Sequence, residues 1–276
     1  MLTRLFLLLT LLWAPMAQAQ VNIEKIRTDP AEDGWSGSFS LGAAFTTGNI
    51  DFADFTLGSF LAQRTGPHTT FLVTNGRFAA KRTQGDYLEA PDTTLWDEGA
   101  HYSNNALTHL RYNYALTDDL ALEAYTQYEF NEFLLLDRRV LAGTGIRYRV
   151  GQGERGGFWF GTSAMMEAER LNPDAVAPSE EVDQLYWRWS NYGTTKLTIG
   201  EDSSWLTTIY YQPRVDSFDD FRVVAETGLG FALNETFSFS VDARLRHDSA
   251  PPATADGVAE VLPTDISVKN SISVEW

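Results

Sequence analysis

Long stretches of this sequence alternate apolar and polar residues with a period of two. Between Trp35 and Thr46, for example, Trp35, Phe39 and Leu41 share one side of the pattern, and three serines share the other. Successive side chains of a β-strand point to opposite faces, so this alternation predicts strands with one apolar and one polar face. The pattern recurs along most of the chain, which predicts an all-β protein.

The alternation divides the chain into about twelve predicted strands. Strands of soluble proteins centre near about 5 to 6 residues, whereas a strand that crosses a membrane needs roughly 9 to 11. Most of the predicted strands exceed both lengths, which favours a membrane barrel. The predicted strands are 35–47, 51–64, 68–82, 105–117, 120–133, 137–150, 157–168, 184–199, 203–215, 221–233, 236–247 and 264–276.

The connections between these strands alternate between short and long. Those after even-numbered strands are short and rich in Gly, Asn or Asp, such as 65–67 and 200–202, whereas 83–104, 169–183 and 248–263 are long. Short periplasmic turns and longer extracellular loops are typical of outer-membrane barrels. We therefore expect a single closed antiparallel transmembrane β-barrel of about 12 strands in up-and-down order, with both termini at the short-turn end.

The aromatic residues near the predicted strand ends agree with this architecture. Aromatic girdles lie at the two membrane interfaces of such barrels. A soluble β-sandwich is the rival architecture, and it predicts no apolar belt on the outside. The predicted interface aromatics are Trp35, Tyr112, Tyr114, Trp187, Trp189, Trp205 and Trp276.

The first residues predict export from the cytoplasm. Arg4 precedes a short apolar run from Leu5 to Trp13, and the small residues Ala17 and Ala19 fit a cleavage site. This is the pattern of a secretory signal peptide, and the run is too short to span a bilayer, which needs roughly 20 residues. We expect a signal peptide at 1–19, a periplasmic extension at 20–34 and the barrel at 35–276, located in the outer membrane.

Composition limits the partners. The chain has a net charge of -16 and no cysteine, so it lacks the basic character that nucleic-acid binding needs, and it uses no disulfide. The expected partners are outer-membrane lipid and lipopolysaccharide, together with the barrel-insertion machinery, which would read the terminal aromatic Trp276. We expect a monomer.

Several segments resemble the DUF481 family, also described as YdiY-like or salt-induced outer-membrane proteins. The resemblance rests on "GWSGS" at 34–38, "TTGN" at 46–49, "RYNY" at 111–114, "LDRR" at 136–139 and the closing segment from Asp248. It extends from about Gly34 to Trp276, although the last loop departs from the family pattern between 253 and 262. The resemblance implies an outer-membrane location and a barrel fold, and it leaves the activity open.

Histidines are the natural place to look for the enzymatic alternative, a barrel hydrolase or lipid-modifying enzyme. His109 alternates with lumen-facing polar residues, and His247 precedes an Asp and a Ser near a predicted strand end. Neighbouring side chains point apart, so that tripeptide cannot itself form a catalytic triad. His68 and His101 lie at a turn and beside a long loop. We predict no catalytic residues.

Acidic residues are concentrated in the predicted extracellular loops, around 180–183, 216–220 and 256–265. Calcium requires six to eight oxygen ligands, and none of these groups has the spacing of an EF-hand. Solvated loop charge explains them, so we predict no metal site and no cofactor.

The polar faces of the strands carry charges of both signs, which we expect to pair in the barrel lumen because an unpaired buried charge is costly. This network either fills and stiffens the barrel or lines a narrow polar channel for small solutes. We therefore expect a non-enzymatic protein with a structural or envelope-stress role or a role as a narrow channel, with a loop-based adhesin or receptor as a further alternative. The predicted lumen residues are Arg111, Glu123, Glu129, Arg147, Arg149, Arg188, Glu226, Asp242, Arg244, Lys269 and Glu275.

Overall fold

The computed structural model describes residues 33–48, 50–83, 94, 101–102, 104–200, 202–234, 237–258 and 260–274. The expected signal peptide at 1–19 and most of the expected extension at 20–34 lie outside the described residues. So do two of the predicted functional residues, Glu275 and Trp276.

Thirteen β-strands form the described part of the chain. The described residues also include one 3₁₀ turn, Glu132–Leu134. No helix among them is long and apolar enough to cross a membrane. The strands are β1 (Gly34–Thr46), β2 (Ile50–Thr65), β3 (His68–Thr83), β4 (His101–Tyr102), β5 (Asn105–Ala115), β6 (Leu120–Asn131), β7 (Leu136–Gly153), β8 (Gly156–Leu171), β9 (Asp183–Thr198), β10 (Ser203–Pro213), β11 (Phe221–Ala232), β12 (Phe237–Asp248) and β13 (Thr264–Val274).

The strands form one antiparallel sheet in which each long strand pairs with the next along the chain. The order is β1-β2-β3-β5-β6-β7-β8-β9-β10-β11-β12-β13, and the two-residue β4 pairs with β3 beside this path. β1 and β13 are the edge strands of this order. The expectation of about twelve long antiparallel strands in up-and-down order is confirmed.

The connections alternate in length as predicted. β2 and β3 are joined by Gly66 and Pro67, and Gly66 has a φ of +54°, a left-handed conformation that glycine adopts without steric cost. The other end of the sheet carries the long connections 172–182 and 249–263. We call these the short-turn end and the long-loop end.

The sheet curls around an interior, because side chains of strands that are not neighbours meet. A guanidinium nitrogen of Arg222 on β11 lies 2.8 Å from a carboxylate oxygen of Glu167 on β8. The hydroxyl of Tyr192 on β9 donates to Glu123 on β6 at 2.9 Å. In a flat sheet, strands three apart would be separated by about 14 Å. These contacts therefore require a curved, barrel-like wall.

The two faces of the wall are opposite in character to those of a soluble protein. On β9, Arg188 is 1% exposed, whereas its neighbours Trp187 and Trp189 are 56% and 49% exposed. β6 repeats this arrangement, with Glu129 buried and Tyr128 exposed. Charged side chains point inward and large apolar side chains point outward. The outward apolar side chains form the belt that a soluble β-sandwich would lack.

Glycines on the inner face make room for tyrosine rings. An added Cβ at Gly143 would collide with the Tyr125 ring, and one at Gly161 would collide with the Tyr192 ring. Each tyrosine ring therefore lies over a glycine of the neighbouring strand, at a position where that strand has no side chain. Gly143 and Gly161 are therefore sites that a tyrosine ring fills.

We predict that Gly143→Ala destabilises the protein by about 1–3 kcal/mol, because the new methyl group displaces the Tyr125 ring in a packed interior. The urea midpoint of refolded protein in detergent, followed by tryptophan fluorescence, measures the change. Gly200→Ala is the matched control, since a Cβ there meets nothing within 4 Å. Equal midpoints for the two variants would contradict the packing described for Tyr125.

Candidate functional site

The interior contains a cluster of buried charges near the long-loop end. It combines four arginines with four carboxylates, so the cluster is neutral when all eight are ionised. All are less than 10% exposed, and they come from six strands. We call this the upper charge cluster. Its members are Glu129, Arg139, Glu167, Glu169, Arg188, Arg222, Arg246 and Asp248.

Arg222 makes the largest number of contacts in the upper charge cluster. One terminal nitrogen donates to both oxygens of Glu167 at 2.8 Å, and the other donates to Glu169 at 3.1 Å. Its Nε donates to Asp248 at 2.9 Å. The planar guanidinium can serve three carboxylates at once because its five N–H donors point in fixed directions. Arg222 thereby joins β8, β11 and β12.

The other arginines extend the cluster around the wall. Arg139 binds Glu169 in a two-point arrangement, with both nitrogen–oxygen distances at 3.1 Å. A third nitrogen of Arg139 lies 3.4 Å from Glu129. Arg188 lies 3.1 Å from both Glu167 and Asp220. Such charge-assisted, two-point contacts are the geometry that offsets the desolvation of buried ions.

An apolar cap covers the upper charge cluster at the long-loop end. It is formed where the turn after β6 meets the connections 172–182 and 249–263. Those two connections are joined by backbone bonds, Ala177 N to Ala253 O and Ala255 N to Ala175 O, both 2.9 Å. The buried cap residues are Leu134, Leu135, Leu136, Leu171, Val176 and Val261.

Below the upper charge cluster, aromatic side chains fill the middle of the interior. The guanidinium carbon of Arg111 lies 4.8 Å from the centre of the Tyr125 ring, and a nitrogen of Arg111 lies 3.5 Å from Glu123. Tyr192 donates to the same carboxylate and packs on Tyr210, with ring centres 5.3 Å apart. Tyr125, Tyr192 and Tyr210 are all buried, and this tyrosine layer occupies the interior on the β6–β10 side.

The short-turn end holds an open vestibule with a volume of about 570 Å³. The Arg147 guanidinium lies over the Trp159 ring at 5.0 Å. At the rim, Arg149 pairs with Asp119 at 2.7 Å. The interior is thus open toward the short turns, and the apolar cap lies over the upper charge cluster at the long-loop end.

The interior is less uniformly polar than the alternation predicted. Phe60, Phe71, Val73 and Leu107 form an apolar group on the inner side of β2, β3 and β5. Ser36, Ser38 and Ser40 on the inner side of β1 are exposed. Packed charge therefore occupies one side of the lumen, while small polar groups line the side near the edge strands.

The predicted lumen residues separate into groups in the structure. Arg111, Glu123, Glu129 and Arg188 are buried in the two layers. Arg147 and Arg149 line the vestibule. Glu226 and Arg244 pair at 3.2 Å, and Asp242 lies opposite the exposed Lys269 in the β12–β13 register. Glu275 lies outside the described residues.

Sequence reasoning missed most of the upper charge cluster. The missed residues lie on the same strand faces as residues that were found. Arg246 and Asp248 follow Arg244 at steps of two, and Arg222 lies four residues before Glu226. The alternation was therefore sufficient to find them. Two of them, Glu169 and Asp248, fell in the predicted long connections 169–183 and 248–263, outside the predicted strands.

The predicted interface aromatics point outward where they are described. Trp35, Tyr112 and Trp205 are exposed near the short-turn end, and Trp187 and Trp189 in the other half. Tyr114 is half-buried against His68, with ring centres 5.1 Å apart. Trp276 lies outside the described residues.

The histidines considered for catalysis are engaged in other contacts. His109 is buried, with its Nδ1 3.1 Å from Gln127, and its ring stacks on Tyr125. The Nδ1 of His247 lies 2.8 Å from the Thr264 hydroxyl. His68 lies 2.6 Å from the Tyr112 hydroxyl on the outer wall. Among the described residues, no group of three or more His, Asp or Glu side chains is arranged to hold a metal ion.

Residues 39–268 match the family profile described as "Protein of unknown function, DUF481". The chain belongs to the DUF481 family. The match covers most of the strands described above and confirms the resemblance found in the sequence. No match was found among curated proteins.

Solved structures similar to this DUF481 protein have low identity to it. A structure titled "CymD monoaromatic hydrocarbon channel" has 6% identity and a TM-score of 0.44, covering 89% of this chain and 80% of that chain. A NanC porin structure has 9% identity and a TM-score of 0.45, covering 88% and 98%. A bacterial polysaccharide outer membrane secretin has 10% identity and a TM-score of 0.44, covering 90% and 87%.

The connection between β10 and β11 carries an exposed ion pair in this DUF481 protein. Arg214 donates two hydrogen bonds to Asp216, at 3.0 and 2.7 Å, and one to Asp220 at 3.2 Å. The hydrogen bonds between these two side chains lower the pKa of Asp216 and raise the pKa of Arg214. The Arg214 guanidinium also lies 3.9 Å from the centre of the Tyr186 ring. These acidic residues serve as partners for arginine.

We predict that Arg222→Met lowers the stability of the DUF481 protein by about 3–5 kcal/mol, because Glu167, Glu169 and Asp248 lose their shared partner while still buried. Equilibrium urea unfolding in detergent measures the loss. Arg155→Met, at an exposed turn, is the matched control.

A second variant separates charge from packing. Arg222→Met combined with Glu167→Gln removes one stranded negative charge, so part of the stability should return. If the double variant is as unstable as the sum of the two single changes, the cluster does not act through charge pairing.

Proposed function

We propose that this DUF481 protein is a non-enzymatic outer-membrane β-barrel with a structural role in the cell envelope, occluded at its long-loop end. The observation that carries the proposal is the inverted wall, with buried ion pairs inside and a belt of exposed apolar side chains outside. Such a surface is unfavourable in water and favourable in hydrocarbon. Envelope stress is the physiological setting that we propose for this barrel.

The occlusion supports a structural role over an open pore. A water-filled pore needs a continuous polar path, whereas here the apolar cap, the upper charge cluster and the tyrosine layer lie one below another. We also propose that the protein is not an enzyme, because the histidines considered for catalysis bind other side chains. His109 contacts Gln127, and His247 contacts Thr264.

The proposed orientation places the short turns in the periplasm and the long loops outside the cell. We predict that an epitope inserted in the connection 249–263 is labelled on intact cells, because that connection lies at the long-loop end. The same epitope at residues 154–155, in the short turn after β7, is the matched control and should be labelled only after the outer membrane is permeabilised. Recovery of the protein in the soluble periplasm would refute the membrane location, and labelling of the control site alone would refute the orientation.

A narrow polar conduit is the second candidate, and one observation favours it. The inner-face serines of β1 are exposed, and so are Asp265 and Lys269 on β13. A small solute or ion would therefore travel along the edge-strand side of the lumen and avoid the upper charge cluster.

We predict that, if the conduit exists, Ser38→Trp reduces single-channel conductance in planar bilayers, because a large ring then fills the inner side of β1. Leu41→Trp is the matched control, since Leu41 is exposed on the outer face of the same strand. The absence of any current, even after Glu129→Ala and Arg147→Ala remove interior charges, would exclude the conduit and leave the structural role.

A further inference from the structure

The two edge strands of the wall, β1 and β13, are not joined by backbone hydrogen bonds in the part of the chain that the structure describes. Every other long strand is paired with both of its neighbours, whereas β1 pairs only with β2 and β13 only with β12. The start of β1, from Gly34 to Ser36, lines the vestibule together with Arg147 on β7 and Trp159 on β8. The wall therefore curls far enough to place β1 across the interior from β7 and β8. We call the junction between β1 and β13 the seam.

The inner face of β1 allows water to reach the seam from the lumen. Unpaired backbone groups are costly in hydrocarbon, and they are tolerated at membrane depth where they line a water-filled space. Five successive inner positions of β1 carry no large side chain, and the three serines among them are exposed. The lumen beside the seam is therefore polar and unfilled. The five residues are Ser36, Ser38, Ser40, Gly42 and Ala44.

The outer side of the seam has the opposite character. Phe39 and Leu41 on β1 are more than half exposed, and so are Ile266 and Val268 on β13. A molecule held between the two edges would meet hydroxyl groups on its inner side and apolar side chains on its outer side. An amphiphile fits this environment, with its headgroup toward the lumen and its chain toward the bilayer.

The vestibule provides space for the headgroup. Its volume of about 570 Å³ is within the range of small-molecule pockets, roughly 300–1,000 Å³. Three arginines and three aspartates line it, so a zwitterionic headgroup can meet a partner for each of its charges. These residues are Asp33, Arg64, Asp118, Asp119, Arg147 and Arg149.

We propose that the seam is a lateral passage through which a single-chain amphiphile with a zwitterionic headgroup moves between the vestibule and the bilayer. The inference rests on the proposed membrane location and adds an activity to the structural role. The apolar cap and the upper charge cluster do not obstruct this route, because it leaves the interior sideways from the short-turn end.

The pairing of the strands favours the seam over any other exit. Opening the seam breaks no backbone hydrogen bond between described residues, whereas separating any other two neighbouring long strands breaks a ladder. A single acyl chain needs less separation of the two edges than a pair of chains does. The passage therefore selects a single-chain amphiphile over a two-chain lipid.

The test uses the full chain refolded in proteoliposomes, with lysophosphatidylethanolamine as the probe. One form of the probe carries a photoreactive diazirine in the headgroup, and the other carries it in the acyl chain. We expect the headgroup form to label vestibule residues such as Thr69 and Asn113, and the chain form to label the outward belt around Leu41. Mass spectrometry of the digested protein identifies the labelled residues.

A removable lock tests the seam itself. The chain has no cysteine, so Ser40→Cys and Lys269→Cys, on the inner faces of β1 and β13, can be joined by a bis-maleimide linker that contains a disulfide. With the lock in place, headgroup labelling of the vestibule should be lost while chain labelling of the belt remains. Reduction of the linker should restore the headgroup labelling in the same protein, which excludes misfolding as the cause of the loss.

Thr207→Cys with Thr227→Cys is the matched control. Their hydroxyl oxygens lie 2.7 Å apart on β10 and β11, which already share a ladder, so linking them should leave both kinds of labelling unchanged. Vestibule labelling that persists in the locked protein would overturn the lateral passage, because the probe would then enter by the vestibule mouth. Equal loss in the control, or failure of the linker to join the two edges, would also overturn it.

Failure of the proposed function gives a different result. The chain form of the probe would then leave the belt around Leu41 unlabelled even in the unaltered protein. Belt labelling without vestibule labelling in the unaltered protein would retain the membrane location and overturn the lateral passage alone.

Discussion

Charge placed inside a low-dielectric interior must be paired, and this requirement organises the whole molecule. The wall presents apolar side chains outward, so the alternation of each strand delivers its polar residues to the interior. Arg222 satisfies three carboxylates from two other strands, and Arg139 and Arg188 continue the pairing around the wall. The pairs of Arg222 with Glu167 and Glu169 join β11 to β8, two strands that share no backbone hydrogen bonds, so these contacts both neutralise charge and hold the curvature.

The layers of the interior have different roles along the axis. The apolar cap lies over the upper charge cluster, and both sets of residues line a cavity of about 230 Å³ between them. The tyrosine layer fills space that inner-face glycines leave open, and the vestibule below it stays accessible. The arrangement gives an interior with packed, buried charge near the long-loop end and an open vestibule at the short-turn end.

Much of this could be predicted from the sequence, and particular residues show where prediction stopped. The alternation correctly assigned Arg111, Glu123 and Arg188 to the interior, because side-chain direction in a strand is a local property. Arg222 and Asp248 lie on the same inward faces, but their burial depends on the connections 172–182 and 249–263 folding over the long-loop end. The inner-face Phe71 and Leu107 were not expected, since the alternation does not exclude an apolar residue from a mostly polar face.

The sequence by itself determined the strands, their antiparallel order, the lengths of their connections and the face to which each side chain points, because period and turn chemistry are local. Only the tertiary structure decided which charges meet and that Tyr125 and Tyr192 fill the spaces beside Gly143 and Gly161. Those features depend on the curvature and register of the sheet, which bring together residues far apart in the chain. The sequence pattern repeats along every strand and does not specify these distances.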